Sequence, residues 1–448
     1  MRENEVNPLL PIEPFIEQIE ELTHKLSTIT PIEGEVGHKV AQALNGALSK
    51  TLRVLVPVKI LRESGAFFTG DEMADLLLES VSSEDTSTTL DAACGGGNLL
   101  LARARLMPLE ETWSGTLQRW GESLLGFDIH DSFVRATHAR LSLLAAYRGV
   151  MLYGEDFFSG SQLQTHDIFP RISQADSLCT SWPKSDLVLL NPPFNKIQVP
   201  DWCSWSTSKS SNAALFIAKS IQEAKIGTRV RAILPDVLRS GSFYRRWRLE
   251  VEKGSAIQKI QPIGRFDAET SVDVFVIDFI VGGRTKELNG EWWESEATQA
   301  ADKSTQTVGD LFDVYVGRVV PHRDAEQGNE YPYLDVSHVP TWGVVDATMS
   351  RRRFNGVTFK PPFVVVRRNS RSKDKHRAVG AVVKSGPEEF AVENHLIIVR
   401  PKSGTLRECN KLIKVLQDQE TSNWLNKRIC CRHLTVSAVK CIPYSTKH

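Results

Sequence analysis

The apolar positions at the start of the chain follow a helical pattern. Within the first 64 residues they recur three or four apart, at Phe15, Ile16, Ile19, Leu22 and Leu26. A second amphipathic stretch covers residues 40–61. The pattern predicts an N-terminal helical segment over residues 1–64.

From Ser87 the pattern changes to short apolar runs that alternate with helical stretches. The runs TTLDAAC, SLLGFDIH, SDLVLLNPPF, TRVRAILP and DVFVIDFIVGG are predicted strands. GNLLLARARL, DSFVRATHARLSLLAAYRG and NAALFIAKSIQEAK are predicted helices. Alternation of this kind indicates an α/β fold with a mostly parallel, Rossmann-like sheet covered on both faces. We assign this domain to residues 65–284.

The last third of the chain has a different pattern. Residues 285–304 are polar and are predicted to be a linker. Short apolar runs follow, LFDVYVG, FVVVRR, AVGAVV and HLIIVRP, with one predicted helix, CNKLIKVLQDQETSNWLN. This mixture predicts a second, α+β domain over residues 305–448.

Composition places the chain among ordinary globular proteins. It has 448 residues, of which 41% are hydrophobic and 24% charged. No apolar run approaches the roughly 18 residues of a membrane helix, and MRENEVNPLL lacks the basic flank of a signal peptide. We therefore expect a cytoplasmic protein without a membrane partner. The seven cysteines form no CxxC pair, so reduced thiols and no structural metal are expected.

The net charge of zero conceals a strong asymmetry. Residues 351–448 carry 21 Lys and Arg against 7 Asp and Glu, a balance of +14, so the remainder carries −14. A basic block on a neutral chain indicates a polyanionic partner for that part of the molecule, or a basic solvated face.

A glycine-rich turn joins the first predicted strand to the first predicted helix. It reads Asp91-Ala92-Ala93-Cys94-Gly95-Gly96-Gly97-Asn98. Glycines let the backbone approach a ligand closely, and a helix N-terminus favours negative charge. The spacing matches neither GxGxxG nor GxxxxGKS, which disfavours a dinucleotide or a P-loop nucleotide. Any doubly wound fold can carry such a turn.

Two further acids strengthen the prediction of a ligand site. Asp128, in GFDIH, ends the next strand, where a Rossmann-type fold places an acceptor for ribose hydroxyls. Asp156, in GEDFF, is predicted to end the strand after that, where it could accept a hydrogen bond from an adenine amino group. Each acid alone could equally cap a helix or lie in a solvated loop.

The tetrapeptide Asn191-Pro192-Pro193-Phe194 follows the apolar strand DLVLL. Two prolines fix the backbone and remove two amide donors, so carbonyl oxygens remain free to accept hydrogen bonds. The Asn191 side-chain oxygen and the Pro192 carbonyl could both accept from one NH2 group. Phe194 offers a flat face on which a base removed from its helix could stack. An ordinary turn after a strand is the alternative.

Taken in order, GAFFTG (65–70), LDAACGGGNLL (90–100), GFDIH (126–130), GEDFF (154–158) and DLVLLNPPF (186–194) resemble the amino-group DNA methyltransferases of the γ arrangement. The resemblance covers residues 65–283. It implies S-adenosylmethionine as cofactor and methyl transfer to the N6 amino group of a flipped adenine, within a restriction–modification or related defence system. Gly70 and Ala92 depart from the family, which usually has proline at both positions.

The resemblance also implies roles for individual residues. The implied cofactor-binding residues are Phe68, Thr69, Asp91, Ala93, Cys94, Gly95, Gly97, Asn98, Asp128, Ile129, Asp156 and Phe157. The implied catalytic residues are Asn191, Pro192, Pro193 and Phe194, and Phe266 would be a second aromatic near the flipped base.

The C-terminal part resembles a target-recognition domain of type I restriction–modification specificity subunits. Matching stretches include LFDVYVGRVVPHRD, YPYLDVSHV and CRHLTVSAVKCIPY. The resemblance implies double-stranded DNA as partner, with contacts from Arg351, Arg352, Arg353, Arg367, Arg368, Arg371, Lys373, Lys375 and Arg377. A cognate restriction endonuclease would be a further partner.

Other methyl acceptors remain open at this point. The same tetrapeptide serves N4-cytosine methylation, in which Ser more often replaces Asn, and glutamine methylation of protein release factors. Release-factor enzymes lack a large basic C-terminal domain. RNA adenine methylation is the third alternative, but no recognisable RNA-binding module accompanies the predicted core.

Overall fold

A computed structural model describes residues 12–28, 34–45, 70–79, 81–82, 87–159, 168–266, 272–285, 288–292, 306–345, 350–369, 374–384, 388–429 and 433–444. The chain divides into two compact units. Unit 1 is Met1–Pro235, Arg246–Ile263 and Phe275–Gly290, and unit 2 is Asp236–Arg245, Gly264–Val274 and Glu291–His448.

The N-terminal helical pattern is confirmed by two helices, α1 (Glu13–Leu26) and α2 (Glu35–Leu44). All five apolar residues predicted on one face of α1 are buried. They join a core that also contains Phe133 and Leu144 of a later helix. Residues 46–61 of the second predicted stretch lie outside the described residues.

The elements from Gly70 to Gly290 alternate as predicted. In chain order they are α3 (Asp71–Leu78), β1 (Thr89–Asp91), α4 (Asn98–Leu106), α5 (Trp113–Ser123), β2 (Leu124–Asp128), α6 (Asp131–Tyr153), β3 (Ile172–Gln174), β4 (Leu187–Leu190), β5 (Lys196–Gln198), β6 (Lys209–Ser211), α7 (Asn212–Glu223), β7 (Arg229–Pro235), α8 (Asp236–Ser240), α9 (Arg245–Gly254), β8 (Ser255–Arg265) and β9 (Asp273–Val281). The five predicted strands and three predicted helices are all present.

Seven of these strands form one sheet in the order β3-β2-β1-β4-β7-β9-β8. The first five of that order are parallel to one another. The N–H of Gly227 donates to Val281 O, and the N–H of Val281 donates to Thr228 O, so β9 ends beside the start of β7 and runs antiparallel to it. The carboxyl ends of β1, β2, β3, β4 and β7 therefore share one edge, where ligands bind in open α/β sheets. A Rossmann-like α/β fold is confirmed.

One predicted strand end is wrong. Asp156 lies in a 3-10 helix, Gly154–Phe158, directly after α6 rather than after a strand. Helix α6 starts three residues beyond the end of β2 and has 23 residues, which at 1.5 Å per residue is about 34 Å. It therefore carries the chain away from the carboxyl edge before Asp156 is reached. The next strand, β3, begins only at Ile172.

Unit 2 contains the expected mixture of short strands and helices. After Gln306 the elements are α10 (Val308–Leu311), β10 (Phe312–Val316), β11 (Asn329–Leu334), β12 (Arg351–Phe354), β13 (Phe363–Arg367), β14 (Gly380–Val383), β15 (Ala391–Val392), β16 (Leu396–Pro401), α11 (Leu406–Gln417), α12 (Gln419–Arg428) and α13 (Val436–Lys440). Two sheets form, with the orders β10-β16-β13-β14 and β12-β11-β15. Apolar residues of α11 and α12 pack on the first sheet.

One local expectation for this part of the chain is wrong. The single helix expected over residues 409–426 is two helices, because Asp418 between them is extended and its carboxylate accepts the N–H of Glu420 at 2.9 Å. Within the predicted linker, Trp292 is buried, and its carbonyl accepts a hydrogen bond from Arg239 at 3.1 Å.

The described residues contain neither a membrane-spanning helix nor a metal-binding cluster. In that part of the chain no helix is long and apolar enough to cross a membrane. Over the same ranges, no group of three or more His, Cys, Asp or Glu side chains could hold a metal ion.

Candidate active site

Three predicted side chains lie at the carboxyl edge of the sheet. Asp91 is the last residue of β1, Asp128 is the last residue of β2, and Asn191 follows β4 directly. Strand β1 lies between the other two, with Asp91 opposite Gly126 on one side and Leu189 on the other. Asp128 and Asn191 therefore each lie two residues beyond the partner of Asp91. The sheet brings all three to one place.

The glycine turn is fastened to the end of β2. The N–H of Cys94 donates to Phe127 O at 2.9 Å, and the N–H of Gly95 donates to Asp128 Oδ2 at 3.0 Å. The second Asp128 oxygen accepts the N–H of His130 at 2.9 Å. Both carboxylate oxygens are thus oriented by backbone donors, and the acid and the turn form one rigid group.

Gly97 is required by both its backbone and its surroundings. Its φ of 82° lies in the left-handed region, and a Cβ there would lie 2.7 Å from Thr137 Cγ2. The Thr137 hydroxyl, on α6, donates to Gly95 O at 2.8 Å. The turn is therefore pressed against α6, and no side chain fits between them.

A buried arginine continues this contact one turn further along α6. Arg140 donates to Gly96 O and, at 2.6 Å, to the side-chain oxygen of Asn98, the first residue of α4. Sequence reasoning missed both Thr137 and Arg140. No signal in the sequence distinguished them from the other polar residues of this helix.

Burial sets the ionisation of the groups around the turn. Asp91 is 1% exposed and accepts the N–H of Ala93 at 3.1 Å, and its burial raises its pKa to about 7. Burial also raises the pKa of the Asp128 carboxyl. The pKa of the Cys94 thiol lies well above its usual value for the same reason. Burial therefore keeps the Cys94 side chain as a neutral thiol.

An exposed apolar side chain lies beside the Asp128 carboxylate. Ile129 is 54% exposed, and its carbonyl accepts a hydrogen bond from Gln174 at 3.0 Å. Gln174 ends β3 and pairs with Asp128 across the sheet. Ile129 is thus held at the carboxyl edge with its apolar surface available to a flat ligand.

The tetrapeptide is held between β4 and α7. Pro192 is buried, whereas Asn191 and Phe194 are partly exposed. Asn195, the next residue, accepts the N–H of Asn212 at 2.8 Å, at the start of α7. The chain between them forms the β5–β6 hairpin. Both ends of the tetrapeptide are therefore fixed close to the sheet edge.

Asp156 and Phe157 do not belong to this edge. Asp156 is exposed beyond the far end of α6, and Phe157 is buried, stacked on Tyr153 with ring centroids 5.8 Å apart. Their predicted cofactor contact is wrong, because α6 separates them from Asp128 by its whole length.

The acid that follows β3 is Asp176, which the sequence reasoning missed. Its carboxylate accepts the N–H of Leu178 at 2.9 Å. The neighbouring Ser177 hydroxyl donates to Ala92 O, beside β1. The stretch ISQADSL carried the signal, but a three-residue strand is too short to be recognised by its apolar pattern.

The roles of three predicted ligand residues remain predictions. Phe68 and Thr69 lie outside the described residues. Phe266 is buried directly after β8, and its N–H donates to Val272 O at 2.9 Å, one residue before β9.

Several of the predicted basic residues are committed to internal contacts. Arg377 is 4% exposed and donates to Ile429 O at 3.0 Å, so its predicted DNA contact is wrong. Arg367 donates to Val339 O, and Arg368 donates to Asn394 O at 2.8 Å. Their guanidinium groups support the backbone, because buried carbonyls need donors.

Two of the three consecutive arginines on β12 are paired with acidic side chains. Arg351 binds Glu330 at 3.2 Å and Glu388 at 3.0 Å. Arg352 binds Glu326 at 3.0 Å. Arg353, on the same strand, is exposed. Lys375, in the loop before β14, is exposed as well. Arg371 and Lys373 lie outside the described residues.

The residues at the sheet edge fit S-adenosylmethionine. The oriented Asp128 carboxylate can accept ribose hydroxyls, Ile129 offers an apolar face, and the backbone of the glycine turn is held beside that carboxylate by its contacts with α6. The sheet order, with one antiparallel strand inserted next to the last, is that of the S-adenosylmethionine-dependent methyltransferase fold.

Comparison with solved structures agrees with this fold class. The type IIL restriction–modification enzyme MmeI, solved in complex with DNA, is 11% identical over 96% of this chain and 79% of that one, with a TM-score of 0.52. The type IIG restriction endonuclease BpuSI is 11% identical over 98% of this chain and 71% of that one, with a TM-score of 0.46.

A modification subunit assigned to a type I restriction enzyme of Vibrio vulnificus is 18% identical over 58% of this chain, with a TM-score of 0.40. The chain spans about half of that subunit, 52% of its length. No protein-family model matches the chain, and no curated protein matches its sequence. At these identities the similarity is one of fold alone.

Proposed function

We propose that the protein is a DNA methyltransferase that transfers a methyl group from S-adenosylmethionine to the N6 amino group of an adenine. The observation that carries the proposal is the position of Asn191-Pro192-Pro193-Phe194. The tetrapeptide follows β4 directly, next to β1, whose end leads into the glycine turn. The tetrapeptide, whose oxygens can accept hydrogen bonds from an NH2 group, and the glycine turn follow adjacent parallel strands. Both therefore lie at the same edge of the sheet.

The cofactor would be held by groups that are already oriented. Asp128 would accept hydrogen bonds from the ribose hydroxyls, and Ile129 would cover one face of the adenine ring. Asp176 would accept a hydrogen bond from the adenine amino group. Residues 93–98 would surround the methionine part. When bound, S-adenosylmethionine supplies a methyl group activated by the sulfonium. Asp156, which we expected at the adenine, is replaced in this role by Asp176 because Asp176 follows β3.

The chain's own groups would then position and polarise the target amine. The Asn191 side-chain oxygen and the Pro192 carbonyl would accept hydrogen bonds from the NH2 group and direct its lone pair toward the methyl group. Phe194 would stack on the extruded base. Because buried acceptors act in a water-poor site, orientation and electrostatics would supply most of the rate enhancement.

The recognition of DNA would fall to the C-terminal part. We propose a helical segment over residues 1–64, a catalytic domain over 65–284, a linker over 285–304 and a target-recognition domain over 305–448, the γ order of motifs. Exposed Arg353 and Lys375 are better candidates for DNA contacts than the paired Arg351 and Arg352. A cognate endonuclease would complete a restriction–modification system.

Modification-aware sequencing tests the reaction, its base and its site together. Host DNA would be sequenced after expression of the wild type, of Asn191→Ala and of Asn423→Ala, a matched control exposed on α12. We expect methylated adenines with the wild type and the control and none with Asn191→Ala. Equal methylation by all three would contradict the mechanism.

A purified-enzyme assay separates the acceptor classes. DNA, RNA and protein would be offered separately with radiolabelled cofactor. Label only in DNA, recovered as N6-methyladenine, supports the proposal. Label recovered as N4-methylcytosine would correct the base, and label in RNA or protein would correct the acceptor class.

A further inference from the structure

Arg140 joins the glycine turn to the N-terminal helices. It lies on α6 and is fully buried. On one side it donates to Gly96 O and to the side-chain oxygen of Asn98. On the other side it donates to Ala43 O at 3.2 Å and to Leu44 O at 3.1 Å, the last two residues of α2. One guanidinium group therefore holds two segments that lie more than 50 residues apart in the chain.

Burial of the Arg140 charge costs free energy, and its hydrogen bonds hold the guanidinium group in one orientation. Its acceptors are three backbone carbonyls and one amide oxygen, none of which carries a formal charge. Burial lowers the pKa of Arg140 to about 9, which still leaves it charged at neutral pH. The negative end of the α2 dipole faces this charge. A planar fork with fixed donors cannot follow one segment if the other moves.

The glycine turn depends on the same face of α6. Thr137, three residues before Arg140, holds Gly95 O, and the Gly97 backbone lies against Thr137. Because the carbonyl and the amide of a trans peptide point in opposite directions, holding Gly95 O turns the N–H of Gly96 away from α6. The conformation of the turn is therefore set from behind by α6, and Arg140 extends that control to α2.

We propose that Arg140 is a positioning residue for the cofactor, and that it couples ligand binding at the glycine turn to docking of α2. The inference rests on the proposed function, since it takes S-adenosylmethionine as the ligand. Ligand binding stabilises the turn, the turn holds Arg140, and Arg140 holds the carboxyl end of α2. Coupling between two sites is reciprocal. The factor by which the ligand favours docking of α2 is therefore also the factor by which undocking of α2 lowers the affinity for the ligand.

Arg148 provides a matched control on the same helix. It donates to Ala104 O at 2.6 Å and to Met107 O at 2.9 Å, at the carboxyl end of α4. Its chemistry is the same as that of Arg140, a guanidinium group holding the end of a helix, but none of its contacts reaches the glycine turn or α2. Loss of either arginine should lower stability, whereas only loss of Arg140 should affect the ligand.

The test combines calorimetry with hydrogen exchange on the full chain, using S-adenosylhomocysteine as the probe. In the wild type we expect the probe to slow amide exchange in residues 35–44. We expect Arg140→Met to bind the probe about tenfold more weakly and to lose that protection, and Arg148→Met to retain both. Binding to the wild type without slower exchange in α2 overturns the coupling, as does an unchanged affinity in Arg140→Met.

A second variant covers the case in which Arg140→Met does not fold. Val40 is fully buried on α2, so Val40→Asp should undock the helix while Arg140 and the residues of the glycine turn keep their identity. We expect this variant also to bind the probe about tenfold more weakly. Wild-type affinity overturns the inference. Absence of binding to the wild type itself overturns the proposed cofactor and this inference with it.

Discussion

The Asp128 carboxylate at the end of β2 accepts a hydrogen bond at 3.0 Å from the backbone N–H of Gly95, in the turn that follows β1. One acid thus orients the turn and faces the proposed ribose position. Its second oxygen is fixed by the N–H of His130. The proposed cofactor site is therefore preorganised through the backbone, which reduces the entropy lost when a ligand binds.

Replacement of Asp128 by Ala should lower the affinity for S-adenosylhomocysteine at least about tenfold, because hydrogen bonds to a charged group contribute about 1.5–3 kcal/mol. Titration calorimetry measures the affinity. Asp131→Ala is the control, since Asp131 is exposed three residues further on. Equal affinities of the two variants would argue against Asp128 as a ligand.

Asp176 and Asp156 make a direct comparison between the structure and the sequence prediction. Asp176→Ala should lower the affinity for S-adenosylhomocysteine severalfold, since Asp176 follows β3 at the carboxyl edge of the sheet. Asp156→Ala should bind normally, because Asp156 lies beyond the far end of α6. Calorimetry again gives the answer, and the reverse ranking would restore the original assignment of Asp156.

A side chain at Gly97 should be damaging for two separable reasons. Gly97→Ala combines a left-handed φ of 82° with a contact of 2.7 Å to Thr137 Cγ2. Strain of this backbone kind costs about 1–3 kcal/mol, to which the collision adds. In a Thr137→Ala background, Gly97→Ala keeps the backbone strain but no longer meets Thr137 Cγ2. Urea unfolding should show a smaller added loss for Gly97→Ala in that background, and equal losses in the two backgrounds would exclude the collision.

The buried Asp91 should make stability depend on pH. Its folded-state pKa of about 7 exceeds the ordinary value of 3.8, so the folded chain binds this proton more tightly than the unfolded chain. The free energy of unfolding therefore falls as pH rises from about 4 to about 7, by at most about 1.4 kcal/mol per pH unit. Urea unfolding of Asp91→Asn should show a flatter dependence in that window. A slope equal to that of the wild type would contradict this account.

The C-terminal basic residues should separate into two groups. Arg353→Ala or Lys375→Ala should leave the unfolding midpoint unchanged, weaken DNA uniformly across sequences and reduce the salt slope by about one. Arg377→Ala should instead lower the unfolding midpoint, because Arg377 is buried and donates a hydrogen bond to Ile429 O. Fluorescence anisotropy at several salt concentrations measures the first effect and thermal unfolding the second. A stable Arg377→Ala variant with reduced DNA affinity would reverse this division.

The sequence alone determined the order of the elements and most of the ligand edge. Apolar runs located β1, β2 and β4, and in a parallel sheet their carboxyl ends must meet, which placed Asp91, Asp128 and Asn191 together. Long, strongly patterned segments are predictable because their periodicity reflects burial directly.

Only the tertiary structure decided the residues whose role depends on distant chain. The strand β3 is too short to show a pattern, so Asp176 was recognised only by its place in the sheet. Arg140 and Arg377 are basic residues in the sequence, but packing makes both of them buried donors to distant carbonyls. Local sequence predicts how a segment folds, whereas the partners of a buried polar group come from elsewhere in the chain.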